Sequence, residues 1–218
     1  MRIVLDTNIL FDRWFLTGPQ FALLRRHAAT GQSIVFIPSV AVLELRNQYL
    51  KKVSEHFQAV QKLTQVLPPG YTLPPLPLPQ HLAEDYPQYL RTRIAELGFK
   101  EVDYKDIPHD RIMEKATKRQ KPFTEGGSDY QDCLLWEIIL QNVVKVSDVT
   151  YFITRNHKDF AVADQQNLHS DLLEDMRARG IPETCVRYIP DLKTLIDSLI
   201  TPDMPAVESD ELSAFGNR

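Results

Sequence analysis

Short apolar runs recur along the chain, and longer segments with apolar residues at helical spacing lie between them. Residues 3–5 and 33–37 are short apolar runs, the second of which begins with a serine, and such runs are typical of strands buried on both faces of a sheet. Residues 151–154 and 185–189 are predicted to form two later strands. The pattern therefore predicts four short strands spread over most of the chain.

Helices are predicted between and after these strands. Gly31 is placed to end a helix over residues 19–29, and Ser39 is placed to cap a long helix after the second strand. Ser128 and Gln131 match a capping box before another helix. Further helices are predicted over residues 81–97, 108–121 and 192–200. This order predicts a parallel sheet with helices on both faces, in which ligands bind beyond the carboxyl ends of the strands.

Composition changes at two places along the chain. Residues 68–79 hold six of the 15 prolines, which predicts a stiff linker, with an SH3-type ligand as the alternative. Residues 201–218 carry four acids against one arginine, and we expect them to be disordered. The predicted organisation is one domain in two parts, 1–67 and 122–200, a Pro-rich linker and helical insertion, 68–121, and a disordered acidic tail, 201–218.

Composition also places the chain among globular proteins. Of its residues, 43% are hydrophobic and 25% are charged, and no apolar run approaches the roughly 20 residues that cross a bilayer. The first strand follows Met1 directly, which leaves no room for a signal peptide, so we expect a cytoplasmic protein. Cys133 and Cys185 lie far apart and are expected to be reduced thiols. A net charge of −4 argues against a surface that is basic throughout, but it allows a local basic patch.

Two acids follow the first two predicted strands. Asp6 closes the run 3–5, where a carboxylate costs solvation free energy unless something compensates it, although it could simply cap a turn at Asn8. Glu44 is the only charged residue within 33–45, and the helical turn around it is apolar. Helical spacing nevertheless turns Glu44 away from the later apolar stripe, so a buried and a solvent-facing position both stay open.

A third acid, Asp132, lies on the side of its helix that is predicted to face the sheet. It shares that side with Leu135, Trp136 and Ile139. Charged side chains are rare there unless they are paired or bind a metal, so we favour a functional role over a buried ion pair. Asp129 lies in the first turn, where the helix dipole accounts for it without a function.

These acids can converge on one edge of a parallel sheet. Oxygen ligands without paired histidine or cysteine suit a hard cation, so the sequence predicts Mg²⁺ or Mn²⁺ as the cofactor. None of the six histidines has the spacing of a zinc site.

Four short blocks of sequence carry these acids in a defined order. They are residues 6–11 (DTNILF), 36–45 (FIPSVAVLEL), 132–137 (DCLLWE) and 152–160 (FITRNHKDF). In this order they resemble the PIN domain, named after the PilT N-terminus, a family of metal-dependent ribonucleases that includes toxins of bacterial toxin–antitoxin pairs. The resemblance implies a three-layer α/β/α fold with a central parallel sheet, into which a helical subdomain is inserted.

The resemblance also implies roles for individual residues. Asp6, Glu44 and Asp132 resemble catalytic metal ligands. Where many members carry a fourth acid, this chain has Asn156, and Asp159 either substitutes as a ligand or merely caps the next helix. Thr154 resembles a hydroxyl that supports the site at the end of its strand. Thr7, Asn8 and Asp129 are further candidates for supporting residues.

The implied activity is that of an endoribonuclease in which a carboxylate-bound Mg²⁺ or Mn²⁺ activates water for attack on an RNA phosphodiester, leaving a 5′-phosphate and a 3′-hydroxyl. One alternative is a structure-specific DNA nuclease, since the metal chemistry does not depend on the sugar. The other is a catalytically weak nucleic-acid-binding or regulatory module, which Asn156 suggests. The partners considered are RNA, single-stranded or structured DNA, an antitoxin protein and a second copy of the chain, but no membrane.

A basic segment precedes the Asp132 helix and is a candidate for binding phosphates. Its cations are Arg111, Lys115, Lys118, Arg119 and Lys121, of which the first four share one helical face. The alternative is an ordinary solvent-exposed charged helix. Trp14, Phe15 and Tyr130 lie near the blocks and could stack on bases, although core packing is the simpler interpretation.

Overall fold

Five parallel strands form one sheet in the structure, a computed structural model that describes residues 1–68, 70–123, 129–162 and 167–199. The strands are β1 (Arg2–Leu5), β2 (Ile34–Pro38), β3 (Lys100–Val102), β4 (Thr150–Ile153) and β5 (Val186–Ile189). They lie in the order β3-β2-β1-β4-β5, and each neighbouring pair is parallel. The predicted central parallel sheet is therefore confirmed.

Helices surround this sheet. They are α1 (Thr7–Leu10), α2 (Pro19–Ala29), α3 (Ser39–Thr64), α4 (Pro79–Glu96), α5 (His109–Lys118), α6 (Tyr130–Ile138), α7 (His157–Phe160), α8 (Ser170–Ala178) and α9 (Leu192–Leu199). A π-helical turn, Ile139–Val143, continues α6. Helix α8 was not predicted. Among the helices described, none has both the length and the apolar character of a membrane span.

Both faces of the sheet are covered. Ile3 and Leu5 of β1 pack with residues of α2, α3, α4 and α9, whereas Val4 packs with residues of α6 and α8 on the opposite face. All three side chains are fully buried. Because neighbouring side chains of a strand point to opposite faces, a strand buried on both sides must be apolar throughout. The three-layer α/β/α architecture is confirmed.

The junction between β2 and α3 brings the start of a long helix against the sheet. Pro38 takes the N-cap position, so Ser39 lies one residue inside the helix and does not cap it as predicted. The buried side chains of α3 all lie between Ser39 and Leu45. Farther along, the helix packs on α4, where the rings of Tyr49 and Tyr86 stack with centroids 4.3 Å apart.

The segment predicted as a helical insertion also contributes to the sheet. Residues 71–78 of the Pro-rich stretch form neither helix nor strand, and α4 then packs on α3. Strand β3 follows and pairs with β2 at one edge of the sheet. Only helices were predicted here, because Lys100 and Glu101 are exposed and the strand contains no apolar run.

Three smaller predictions concern chain ends and thiols. Ser128 of the predicted capping box and the tail 201–218 lie outside the described residues. Helix α6 has Asp129 at its N-cap. Cys133 and Cys185 are buried free thiols, as expected.

A buried network of charges joins α5, α6 and α8. The fully buried carboxylate of Glu137 lies 3.0 Å from Lys115 Nζ and accepts two hydrogen bonds from Arg179 Nη2, at 2.7 and 2.9 Å. Asp175 pairs with the same lysine and accepts a hydrogen bond from Trp136 Nε1 at 2.8 Å. Each buried charge is therefore compensated, and the network fixes α5 against the core helices.

Removing Glu137 should destabilise the fold strongly. Glu137→Ala leaves two cations without their buried carboxylate, so we expect a loss of about 3–5 kcal/mol in the free energy of unfolding. The matched control is Glu114→Ala, which removes an exposed partner of Lys118 and should cost less than about 1 kcal/mol. Urea unfolding of both variants measures the difference. Equal losses would contradict the structural role assigned to the network.

Candidate metal centre

A pocket of about 370 Å³ opens at the carboxyl edge of the sheet. Asp6 follows β1, Glu44 lies in the second turn of α3 after β2, and Asn156 follows β4. Asp132 reaches the same pocket from the first turn of α6. The ends of β1, β2 and β4 are neighbours in the sheet, so residues that follow these strands converge.

Three donors hold the carboxylate of Asp6. The backbone N–H of Thr7 donates to Oδ1 at 2.6 Å. Oδ2 accepts from Asn8 Nδ2 at 2.5 Å and from the hydroxyl of Thr154 at 2.6 Å. Asp6 is thus the N-cap of α1, so the capping role considered from sequence is present, and Oδ1 keeps one further acceptor site for another ligand.

Thr154 and Asn8 connect the ends of β4 and β1. The hydroxyl of Thr154 accepts hydrogen bonds from Asn8 Nδ2 at 2.9 Å and from the backbone N–H of Asn156 at 3.0 Å. Asn8 Oδ1 accepts from the backbone N–H of Arg155 at 2.9 Å. These bonds fix Asp6 relative to the loop that carries Asn156.

Glu44 lines the pocket and is half-buried. The nearby residues Ala41, Val42 and Leu45 pack in the core beneath the sheet, which accounts for the apolar surroundings seen in the sequence. Glu44 is therefore neither fully buried nor fully exposed, and its position lies between the two alternatives that the sequence left open.

Helix α6 places Asp132 at the pocket. Leu135 and Trp136 pack in the core against Val4, as the helical spacing predicted. Asp132 lies one turn earlier, where it lines the pocket and accepts a hydrogen bond from Asn156 Nδ2 at 3.1 Å. The amide at position 156 thus orients a carboxylate.

Two further acids join Asp132. Single carboxylate oxygens of Asp129, Asp132 and Asp159 all lie within 4.8 Å of one another. Asp129 is buried at the N-cap of α6, and Asp159 is buried in α7, which begins after Asn156. The helix dipole alone was used to explain Asp129 from sequence, but its side chain belongs to this acidic group.

Burial and mutual repulsion favour the protonated forms of two of these acids. Burial raises the pKa of Asp6 to about 6, with the hydrogen bond from Thr154 opposing the rise and the charge of Glu44 adding to it. Burial raises the pKa of Asp132 to about 7, and the charges of Asp6 and Asp159 add to this shift. A divalent cation in the pocket would favour the ionised forms instead.

Four of the five cations predicted to bind phosphates line a second pocket, which several acids also line; the cations are Arg111, Lys115, Lys118 and Lys121, and the acids are Glu114, Asp171, Glu174 and Asp175. Lys115 is buried in the network with Glu137, which departs from the prediction because α5 packs this side onto α6 and α8. Arg111 and Lys118 are exposed on α5, and Arg119 is exposed at its C-cap. Lys121 instead reaches the acidic group.

Arg155 is a pocket residue that nothing in the sequence singled out. Its side chain is exposed and lines the pocket, between Thr154 and Asn156 in the fourth block. Its position directly after β4 is the signal that could have identified it.

The three aromatic residues considered for stacking differ in exposure. Trp14 is half-buried between the rings of Phe11 and Tyr49, which is core packing. Phe15 and Tyr130 are 45% and 41% exposed, respectively. Of the three, only these two present their rings to solvent.

The fold and the pocket define an α/β protein with an acidic site at the carboxyl edge of a parallel sheet. A family model described as a PIN domain matches residues 3–160. The chain therefore belongs to the PIN domain family, and the resemblance of the four blocks is confirmed. No curated protein and no solved structure matches the chain.

The raised pKa of Asp132 has a consequence for stability without metal. The contribution of a carboxyl whose pKa is raised by folding is present below its ordinary pKa of 3.8 and is lost as pH rises through about 7. Asp132→Asn, which is always neutral, should therefore be more stable than the parent chain by about 1–3 kcal/mol at pH 8, and by less at pH 5.

Urea unfolding with EDTA at the two pH values measures this difference. Adding Mn²⁺ at pH 8 should reverse the order, because the parent gains an anionic ligand that the variant lacks. A variant less stable than the parent at pH 8 in EDTA would show that Asp132 is not strained by its neighbours.

Proposed function

We propose that this chain is a divalent-metal-dependent endoribonuclease that hydrolyses RNA phosphodiester bonds. Nuclease chemistry is the general activity of the PIN domain family to which the chain belongs. The observation that carries the proposal is the convergence of Asp6, Glu44 and Asp132 from separate segments on one pocket, where the pKa values of Asp6 and Asp132 are raised. Two more acids, Asp129 and Asp159, lie beside Asp132. Carboxyl groups with raised pKa values cost folding free energy at neutral pH when no cation is bound, and such groups cluster at functional sites.

The donor set fits a hard cation. Asp6, Glu44 and Asp132 bring carboxylate oxygens to the pocket, and Asn156 adds an amide oxygen. Oxygen ligands of this kind suit Mg²⁺ or Mn²⁺. When bound, such an ion would lower the pKa of a coordinated water and offset the charge that develops on a phosphate.

The protein residues prepare the pocket for that chemistry. Thr7, Asn8 and Thr154 hold Asp6 in one orientation, and Asn156 holds Asp132. Preorganised ligands avoid an ordering cost when ion and substrate bind. The apolar side chains of Val40 and Leu135 line the same pocket beside the acids.

Arg155 supplies a positive charge where an acidic pocket would otherwise repel a polyanion. Its guanidinium has no ion-pair partner within the described part of the chain, and it lines the pocket. Partial burial lowers the pKa of Arg13, and the positive charge of Arg155 adds to this shift. An arginine beside a carboxylate site can hold a phosphate group next to the scissile bond.

Exposed rings beyond α1 favour a single-stranded substrate. Phe11 follows the last residue of α1, the helix that Asp6 begins, and is 38% exposed. Phe15 and Tyr89 are each 45% exposed and lie edge to face with centroids 5.5 Å apart. Unpaired bases stack on such rings, whereas bases within a duplex do not reach them.

The choice of RNA over DNA rests on the resemblance to ribonucleases of the family. A DNA nuclease uses the same carboxylates, so cleavage of single-stranded RNA, single-stranded DNA and flap substrates at matched salt separates the two. A role as a toxin with an antitoxin partner, a homodimer and a cytoplasmic location stay predictions.

Glu44→Gln should reduce metal-dependent RNA cleavage by about 100-fold or more, because it removes one anionic ligand while preserving shape. Glu55→Gln, on the exposed side of the same helix, should cleave within about threefold of the parent. Initial rates with Mn²⁺ and a fluorescent RNA give the comparison. Asp6→Asn should lose activity in the same way.

Two outcomes would contradict the proposal. Cleavage by Glu44→Gln at the parent rate would remove Glu44 from the site. Mn²⁺ binding by the parent without cleavage of any single-stranded substrate would favour the binding or regulatory module instead.

Arg155→Gln should raise the KM for single-stranded RNA by about tenfold and flatten its dependence on salt, since one phosphate contact is lost. The bond that ties this residue to Asn8 uses its backbone N–H, so the substitution leaves the pocket framework intact. Arg187→Gln, exposed on β5 and outside the pocket, is the matched control. An equal KM in both variants would exclude Arg155 from substrate binding.

A further inference from the structure

Lys121 places an ammonium group directly against the acidic cluster. Its Nζ lies 3.1 Å from Asp159 Oδ1 and donates to the backbone carbonyl of Lys158 at 3.0 Å. Only 20% of the lysine side chain and 11% of the Asp159 side chain are exposed. A pair this enclosed is screened weakly by solvent, so it differs from an ordinary surface ion pair.

The backbone around Lys121 is anchored on both sides. The N–H of Lys121 donates to Asp171 Oδ2 at 3.0 Å, and the N–H of Gln120 donates to the carbonyl of Lys115 at 3.1 Å. Phe123, two residues later, is buried among residues of α5 and α6. The ammonium of Lys121 is therefore held by a turn that follows α5 and is hydrogen-bonded to both α5 and α8.

This position has a consequence for ion binding. Asp129, Asp132 and Asp159 present three carboxylates close enough to share a cation. One oxygen of Asp159 is already bonded to a positive group that belongs to the protein. A divalent ion at this corner would have to lie beside that ammonium, and repulsion between two cations in a poorly solvated site is strong.

We propose that Lys121 is a built-in cation that occupies the Asp159 corner of the cluster, so that this chain binds a single divalent ion, held by Asp6, Glu44 and Asp132. The inference rests on the proposed function, because it assumes that the pocket binds a metal. It makes Lys121 a positioning residue: it compensates Asp159 and leaves Asp132 to face the ion on the other side of the pocket.

Calorimetric titration of Mn²⁺ into the full chain tests this assignment at a pH above 7. The parent should bind one ion. Lys121→Met and Lys121→Gln, which remove the positive charge in two different ways, should each bind a second ion. Lys118→Met, which removes an exposed lysine that pairs with Glu114, should still bind one. Lys121→Arg, which keeps the charge, should also bind one.

A double variant locates the second ion. Asp159→Asn combined with Lys121→Met should return the stoichiometry to one, because the freed corner then lacks its carboxylate. Thermal unfolding of each variant without metal confirms that it is folded.

The outcomes separate the two hypotheses. Two ions in the parent, or one ion of unchanged affinity in both neutral Lys121 variants, would overturn the role of Lys121 while leaving the metal site in place. No binding by the parent at all would overturn the proposed function itself, and this inference with it.

Discussion

The burial of carboxylates in one pocket, together with the repulsion among them, is the constraint on which the rest of this site depends. Asp6 and Asp132 have raised pKa values because burial removes water from them and neighbouring acids add negative charge. Holding such groups together costs free energy that the rest of the fold must offset. The hydrogen bonds from Thr154 and Asn156 lower part of that cost and fix the geometry. The negative charge that stays uncompensated is the charge that the proposed metal ion would neutralise.

The packing of the surrounding fold offsets this free-energy cost and confines the acids to one edge of the sheet. Three parallel strands end side by side, and their apolar residues fill both layers of the core. The polar residues that follow the strands therefore have only the edge of the sheet to occupy. The buried network around Glu137 differs from the pocket, because the carboxylate of Glu137 is compensated by Lys115 and Arg179. The compensated Glu137 network holds helices together, whereas the acids of the pocket keep charge that a ligand can neutralise.

Sequence alone predicted the central strands and the acids that follow them, because a strand buried on both faces leaves a continuous apolar run. It could not predict β3, since an exposed edge strand such as Lys100–Val102 has no apolar run. Helical spacing left Glu44 undecided, because only the first turns of α3 pack on the sheet and its later stripe faces α4. Periodicity also grouped Lys115 with exposed cations. Whether a charged face meets solvent or another helix is decided by tertiary packing, which no local pattern records.

The most direct test of this account is a crystal structure of the parent chain soaked with Mn²⁺ above pH 7, with the ion located by its anomalous scattering. The account predicts one Mn²⁺ coordinated by Asp6, Glu44 and Asp132, with the ammonium of Lys121 still bonded to Asp159. Anomalous density away from this pocket, or a pocket that stays free of Mn²⁺ when the ion saturates the solution, would contradict the central claim that these acids form a metal centre.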